Sequence, residues 1–232
     1  MHANALLSLV SVLALAANAA PVAEEAAVAP VDKRAGACSS YTIINTRGTG
    51  EPQGQSLGFA AINRRLTAEV PGGKVYNTVY LADASQNSAM GTADIINKIS
   101  STLRRNPDEC FILQGYSQGA AATVNAMGRL TGANFDAVKG AFLIGNPDHK
   151  AGLACNVDVN GGSTTKNVNG LSVFLGSIPQ NWVSKTLDVC AFGDGVCDTT
   201  HGVGINAMHL TYPTNAGSQK LGVDFAKKQL GA

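Results

Sequence analysis

Charged and aromatic side chains are scarce in this chain, and neither sign of charge dominates. Charged residues make up 14% of the 232 positions and aromatic residues 6%, and 17 basic against 16 acidic residues leave a net charge of +1. Nucleic-acid binding depends on a strongly basic face, so we do not expect this chain to bind nucleic acid. The hydrophobic share of 45% is sufficient for one domain with a sizeable core.

A hydrophobic run long enough to cross a membrane is also missing. The most apolar stretch, residues 6–17, falls short of the roughly 20 residues of a membrane helix and runs into the small-residue pattern Ala17-Asn-Ala19. This pattern predicts a signal peptide over residues 1–19, with an uncleaved anchor as the alternative. Residues 20–34 end in Lys33 and Arg34, which predicts a propeptide rather than a plain linker. We therefore expect a secreted, extracellular protein with one catalytic domain over residues 35–232 and no integral membrane segment.

Cysteine is sparse as well, and its number is odd. All five cysteines follow residue 35, and a secreted chain forms disulfides by default. Cys190 and Cys197 are close enough in sequence to pair across a short loop. Cys38 and Cys110 each lie beside a predicted strand, which makes them the next plausible pair. Cys155 would then remain a free, buried thiol.

Hydrophobic patterning predicts strands that alternate with helices. We expect strands over residues 40–45, 74–81, 110–113 and 138–144, weaker ones over 171–175 and 188–192, and helices over 59–70, 87–103, 120–127 and 221–230. This alternation is typical of an α/β fold, in which a central, mostly parallel sheet carries helices on both faces. The functional site of such a fold lies at the carboxyl ends of the strands.

One junction between a strand and a helix carries a catalytic motif. Residues 115–119 read Gly-Tyr-Ser-Gln-Gly, a G-x-S-x-G between the strand that begins at Cys110 and an Ala-rich helix. In the nucleophile elbow of an α/β-hydrolase, this sharp turn exposes the serine hydroxyl at the edge of the sheet. Ser117 is therefore the candidate nucleophile, and a Gly-rich turn with a solvated serine is the alternative.

A serine nucleophile needs a base and a carboxylate that orients the base, and in α/β-hydrolases the chain order is Ser, Asp, His. Asp194 lies inside the predicted Cys190–Cys197 loop, which would hold it in place. It is favoured over Asp188 and Asp198 for that reason.

Three histidines compete for the role of the base. His209 has the longest tether back to the elbow and is favoured, whereas His201 lies close to Asp194 in the chain. His149 precedes Asp194, against the usual order. No ligand spacing typical of metal sites links these histidines with Asp148, so we expect no metal and no cofactor.

Ester cleavage also needs two donors aimed at the developing oxyanion. The backbone amide of Gln118, which follows the candidate nucleophile, is one. Thr49 lies between two glycines in the loop after the first predicted strand, and its amide and hydroxyl are candidates for the second. A simple Gly-flanked turn is the alternative.

Together, these motifs resemble those of the fungal cutinases, with the best fit among the cutinase-like polyester-degrading esterases of yeasts. Residues 115–119, Gly-Asp-Gly-Val-Cys at 193–197 and His-Leu-Thr-Tyr at 209–212 occur in the family's order. The resemblance implies a small α/β-hydrolase without a lid that hydrolyses esters of cutin, polyesters and short- to medium-chain acyl groups. It also implies a triad, an oxyanion hole and two disulfides: Ser117, Asp194 and His209; Thr49 and Gln118; Cys38–Cys110 and Cys190–Cys197.

The chain departs from the plant-pathogen cutinases in three respects. Thr49 stands where they have serine, the spacing from Asp194 to His209 is slightly longer and includes His201, and Cys155 lies outside the two family pairs.

Substrate preference is expected to come from apolar residues near the triad. The candidates for a hydrophobic lip are Ile178, Pro179, Trp182, Ile205 and Leu210, each of which could equally belong to the core. An exposed apolar rim would let the enzyme settle on a waxy or plastic surface. The expected partner is an ester substrate, bound by a monomer.

Two other functions fit the same motifs. Acetylxylan esterases share this fold and triad order, so a deacetylase of plant xylan is one alternative, which a preference for acetyl esters would indicate. A non-catalytic surface-binding protein on a hydrolase scaffold is the other, which inertness to an organophosphate probe would indicate.

Overall fold

A parallel sheet of six strands organises the computed structural model, which describes Met1 and residues 38–232. The strands are β1 Tyr41–Thr46, β2 Gly73–Asn77, β3 Cys110–Tyr116, β4 Val138–Ile144, β5 Asn156–Val157 and β6 Thr186–Val189. They lie side by side in the order β2-β1-β3-β4-β6-β5, and every paired strand is parallel to its neighbour. The predicted signal peptide, apart from Met1, and the predicted propeptide lie outside the described residues.

Five α-helices cover the two faces of the sheet in the described part of the chain. They are α1 Ala60–Glu69, α2 Ala89–Leu103, α3 Gln118–Met127, α4 Gly132–Ala137 and α5 Ala216–Leu230. Because side chains alternate along a strand, Ile43 and Ile44 of β1 point to opposite faces. Ile43 belongs to a buried cluster with side chains of α1 and α5, and Ile44 to a cluster with those of α2 and α3. This arrangement confirms the predicted α/β-hydrolase class.

The strand order creates a crevice at the carboxyl ends of the neighbouring strands β1 and β3. The chain leaves β1 through α1 to reach β2 on one side, and β3 then pairs with the other side of β1. The loops that follow β1 and β3 therefore diverge at the carboxyl ends of these strands, where α/β proteins bind their ligands. This position holds both Thr49 and Ser117.

Several predicted elements differ in extent or kind. The strand predicted over residues 74–81 ends at Asn77, and the one predicted over 188–192 is Thr186–Val189. Residues 171–175 form no strand: the Ser172 amide donates to the Pro147 carbonyl and the Leu175 amide to the Ser172 carbonyl, which closes a local turn. The strand prediction was wrong because these backbone amides bond to carbonyl groups of the same loop and of Pro147, and not to a neighbouring strand. In the described residues, no helix is both long and apolar enough to cross a membrane.

Both predicted disulfides are present. Cys38–Cys110 joins the segment before β1 to the start of β3, with 6.1 Å between the Cα atoms. Cys190–Cys197 closes the loop after β6, with 5.8 Å between the Cα atoms. Cys155 is free and buried, as predicted. Its burial, together with the negative charge of Asp188, raises the pKa of the thiol to about 12.

Cys155 is therefore expected to resist alkylation in the folded protein, because a buried neutral thiol is a poor nucleophile. Without reductant, iodoacetamide should leave the native protein unmodified and add one carbamidomethyl group after unfolding in guanidinium. Mass spectrometry measures both states, and rapid labelling of the native protein would contradict the burial of this thiol.

Candidate active site

The turn from β3 into α3 holds Ser117 in a backbone conformation that L-residues rarely adopt, with φ 55° and ψ −122°. The Ser117 amide donates to the Ile144 carbonyl at 3.1 Å. Two residues later, a Cβ on Gly119 would collide with the carbonyl oxygen of Thr46. Only glycine lets α3 approach the end of β1 this closely, and this approach fixes the serine at the crevice.

Three side chains that are distant in sequence meet at this point. The hydroxyl oxygen of Ser117 lies 2.9 Å from His209 Nε2, and His209 Nδ1 lies 2.9 and 3.0 Å from the carboxylate oxygens of Asp194. All three side chains are buried. A carboxylate only accepts hydrogen bonds, so Nδ1 carries the proton and Nε2 of the neutral ring is left to accept the serine proton. A Cβ on Gly145 would lie 2.7 Å from His209 Cε1, so the imidazole needs a glycine beside it.

Asp194 is held by a dense set of hydrogen bonds inside the loop closed by Cys190–Cys197. The Val196 amide donates to Oδ1 at 2.9 Å, and the buried Tyr212 hydroxyl donates to Oδ2 at 2.6 Å. The same hydroxyl accepts from the Ala191 amide at 2.9 Å. Burial, followed by the charge of Asp194, raises the pKa of Tyr212 well above its usual value, so this hydroxyl stays a donor.

Tyr116 and Tyr212 were missed as site residues by the sequence analysis. The Tyr116 hydroxyl donates to the His209 carbonyl at 2.7 Å, and the two rings stack with 5.3 Å between their centroids. Both tyrosines stand within the motifs at residues 115–119 and 209–212. Their positions were thus visible, but their contacts depend on the folded arrangement of these segments.

Thr49 and Gln118 are brought together beside the serine. Thr49 Oγ1 lies 3.1 Å from Gln118 Oε1 and accepts from Gln86 Nε2 at 3.1 Å. The backbone amides of Thr49 and Gln118 have no acceptor among the described residues. An oxyanion hole requires two such unengaged amides near the reacting serine.

A cavity of about 320 Å³ opens at these residues and has an apolar rim. It is lined in part by Ser117 and His209 and by the side chains of Leu57, Ile205 and Leu210. These three are 66%, 57% and 61% exposed. Ile205 and Leu210, which the sequence suggested as part of a hydrophobic lip, thus line this cavity together with Leu57, which the sequence did not single out.

The other three residues of the predicted lip do not line this cavity. Trp182 is 0% exposed, and both it and Ile178 belong to the core under α2 and α3. Pro179 is half-buried between them and precedes a 3₁₀ helix, Gln180–Lys185, that turns Trp182 inward against Phe135. The prediction for Ile178, Pro179 and Trp182 was wrong because this segment packs onto the core: Ile178 is buried, and the short helix after Pro179 buries Trp182.

The rival histidines lie elsewhere. His201 is partly exposed, and its Nδ1 pairs with Asp198 at 3.1 Å. Buried His149 uses both ring nitrogens, towards Asp188 at 2.8 Å and the Thr165 carbonyl at 3.0 Å. Within residues 38–232, no three His, Cys, Asp or Glu side chains are grouped to hold a metal ion.

Asp148 stands apart among the buried carboxyl groups. Its side chain is 4% exposed, and no group in residues 38–232 donates a hydrogen bond to its carboxyl oxygens. Burial, and then the charge of Asp188, raises its pKa from an ordinary 3.8 to about 7.

Fold and site together define an α/β-hydrolase, with a serine on the elbow and an Asp–His pair behind it. Comparison with known proteins specifies the family. The cutinase family model matches residues 37–230, and the chain belongs to this family. It is an enzyme, a carboxylic ester hydrolase of the cutinase type.

Individual relatives agree with this assignment. A cutinase of Monilinia fructicola is 31% identical over 223 residues, which cover 92% of each chain. A solved cutinase-like protein from Cryptococcus sp. is 66% identical, with a TM-score of 0.83 over 84% of this chain and 97% of that one. The catalytic core domain of an acetyl xylan esterase from Trichoderma reesei is 24% identical, with a TM-score of 0.65 over 83% and 99% of the two chains; it shares the fold.

The raised pKa of Asp148 predicts a pH-dependent effect of Asp148→Asn. Between pH 4 and 7 the folded protein keeps the Asp148 proton that the unfolded chain has released. The free energy of unfolding therefore falls as the pH rises over this range and levels off above pH 7. An asparagine at this position does not ionise, so it does not lower the free energy of unfolding as the pH rises. The melting temperature of the variant relative to the wild type should therefore increase from pH 4 to pH 8 in thermal unfolding. A difference that is constant over this range would contradict the shift.

Proposed function

We propose that this protein is a secreted serine esterase that cleaves carboxylic ester bonds of cutin, polyesters and short- to medium-chain acyl esters through an acyl-enzyme. The observation that carries the proposal is the continuous hydrogen-bonded line from Ser117 through His209 to Asp194, with 2.9 Å at both junctions. This geometry converts a weakly nucleophilic hydroxyl into one whose proton has an acceptor within reach.

In the proposed reaction, Ser117 Oγ attacks the ester carbonyl carbon while His209 Nε2 takes its proton. The carbonyl oxygen becomes an oxyanion, which the amides of Thr49 and Gln118 stabilise. When this intermediate collapses, the imidazolium protonates the departing alcohol, and the acyl group remains on Ser117. Water, deprotonated by the same imidazole, then attacks the acyl-enzyme, and the imidazolium returns the proton to Ser117 Oγ as the acid leaves. Asp194 keeps the imidazole oriented throughout and stabilises its charged form.

The apolar rim supports esters with hydrophobic acyl groups as substrates. Leu57, Ile205 and Leu210 expose most of their side chains around the mouth of the cavity, and exposed apolar clusters of this kind favour contact with apolar surfaces. A rim of this type suits attachment to a solid polyester. A series of esters from acetyl to longer acyl groups would separate this substrate class from a strict deacetylase, which would accept acetyl alone.

The two disulfides support an extracellular location, since such bonds persist in oxidising compartments. We also propose a signal peptide at residues 1–19 and a propeptide at residues 20–34, before the catalytic domain at residues 35–232. The proposed form of the mature enzyme is a monomer.

Replacing Ser117 by Ala removes the proposed nucleophile. Hydrolysis of p-nitrophenyl butyrate should fall by about 10⁴-fold or more in kcat, while the melting temperature stays near that of the wild type. Circular dichroism and initial rates check the two expectations. Retention of more than a small fraction of the activity in a folded variant would refute the assignment.

The two histidines of the loop after β6 provide a matched pair. His209→Ala should lose about 10³- to 10⁶-fold in kcat because the base is removed. His201→Ala should keep nearly all activity, since its ring pairs with Asp198. Rates of both purified variants on the same ester check this. A larger loss in His201→Ala than in His209→Ala would reverse the assignment.

A further inference from the structure

A second cavity, of about 370 Å³, lies at the carboxyl end of the sheet on the other side of the first turn of α3. It is bounded by the start of α2, by the outer side of α3 and by the loops after β4. Its wall includes the polar side chains of Gln86, Asn125, Asp148 and Ser172 and the small side chain of Ala121. The reaction derived above does not use it.

Asp148 is the unusual group in this wall. Its backbone amide donates to Asn146 Oδ1 at 3.0 Å, but in the described part of the chain its carboxyl oxygens accept no hydrogen bond. The side chain is only 4% exposed, and what remains open faces the cavity. The carboxyl is therefore available for a hydrogen bond with a ligand in the cavity.

The cavity is within reach of a substrate held at Ser117. Ala121 lies in the first turn of α3, four residues after Ser117, and one helical turn rises about 5.4 Å. Gln86 connects the two places, because it lines the cavity and also donates to Thr49 Oγ1 at 3.1 Å. An ester with its carbonyl at the elbow could therefore extend past the first turn of α3 into this space.

The residues that line this cavity favour one chemical class of ligand. Asp148 accepts a hydrogen bond when ionised and can donate one when protonated, and Asn125, Gln86 and Ser172 can both donate and accept hydrogen bonds. A hydrocarbon chain would leave the carboxyl without a partner and exclude water from it. A carboxylate ligand would be repelled by the ionised form of Asp148, although Arg129 also lines the cavity. Hydroxyl groups, which donate and accept hydrogen bonds, match the polar part of this wall.

We propose that this cavity is a subsite for a hydroxyl-rich part of the substrate, a polyol or a sugar unit, with one ligand hydroxyl hydrogen-bonded to Asp148. The inference rests on the proposed esterase function and adds a preference for esters that carry such a group near the scissile bond.

Direct binding tests the subsite without catalysis. In a ¹⁵N-labelled wild-type protein, xylitol should shift the backbone amide signals of Thr92, Ala121 and Asp148 saturably. The probe 1,5-pentanediol, which has the same carbon chain without the three inner hydroxyls, should bind at least about tenfold more weakly. Equal binding of both probes, or no saturable shift at these residues with xylitol, would overturn the proposal.

Variants of the lining residues test whether xylitol binds in this cavity. Asp148→Leu should weaken xylitol binding at least about tenfold. Asn125→Leu, on the exposed side of α3, should weaken it in the same direction and is not expected to disturb folding. Asn181→Leu is the matched control, an exposed asparagine outside the cavity, and should bind xylitol like the wild type. Unchanged binding in folded Asn125→Leu and Asp148→Leu proteins would exclude this cavity as the site.

Kinetic measurements test whether this cavity binds part of the ester during hydrolysis. Glycerol 1-monobutyrate and propyl butyrate differ only in two hydroxyls, so the ratio of their kcat/KM values measures recognition of these groups. The wild type should favour the monobutyrate, and Asn125→Leu should lower the ratio. If both esters are cleaved and the ratio is the same in both proteins, the cavity is not part of the substrate site. If the wild type cleaves neither ester, the esterase function itself fails.

Discussion

The backbone of Ser117 is the constraint on which the rest of this site depends. A non-glycine residue at φ 55° and ψ −122° costs on the order of 1–3 kcal/mol and persists only where its surroundings leave it no alternative. Here the parallel pairing of β3 with β1 and β4 fixes one end of the turn, and the close packing of α3 against Thr46 fixes the other. The hydroxyl is thereby aimed at the crevice before any substrate arrives.

The partner groups of this serine are fixed by different means. His209 and Asp194 come from loops, where mobility would ordinarily spread their positions. The Cys190–Cys197 disulfide closes the loop of Asp194, and Tyr212 and Val196 each donate to its carboxylate. Tyr116 holds the backbone of His209 from the elbow side. A rigid sheet edge and a few buried hydrogen bonds thus give loop residues the precision that proton transfer demands.

The sequence was most informative where local pattern and function coincide. The strand Val138–Ile144 and the junction of β3 with α3 carry strong periodicity and a specific motif, so their existence and their role at the sheet edge followed from the residues. The Cys190–Cys197 disulfide was expected from its short separation in sequence, and Cys38–Cys110 from the predicted strands beside both residues and from the resemblance to the cutinases. The class of the fold followed from the alternation of elements.

The parts that were missed depend on contacts between distant segments. Trp182 lies in a sequence that reads as a loop, and only the packing of Gln180–Lys185 on Phe135 and its neighbours shows that it is core. Leu57 lies in a loop without periodicity, so nothing local indicates that it borders the serine. The buried position of Asp148 beside Asp188 likewise arises from the pairing of β4 with β6, which joins residues some 40 positions apart.

The most direct test of the account is covalent labelling by an organophosphate, because this reaction requires the serine, the imidazole and the oxyanion donors to act together. Diethyl p-nitrophenyl phosphate should add one diethylphosphoryl group per molecule, and peptide mapping should place it on Ser117. His209→Ala should remain unlabelled under the same conditions. An unlabelled wild-type protein, or a label on any other residue, would contradict the claim that these three side chains form one proton path.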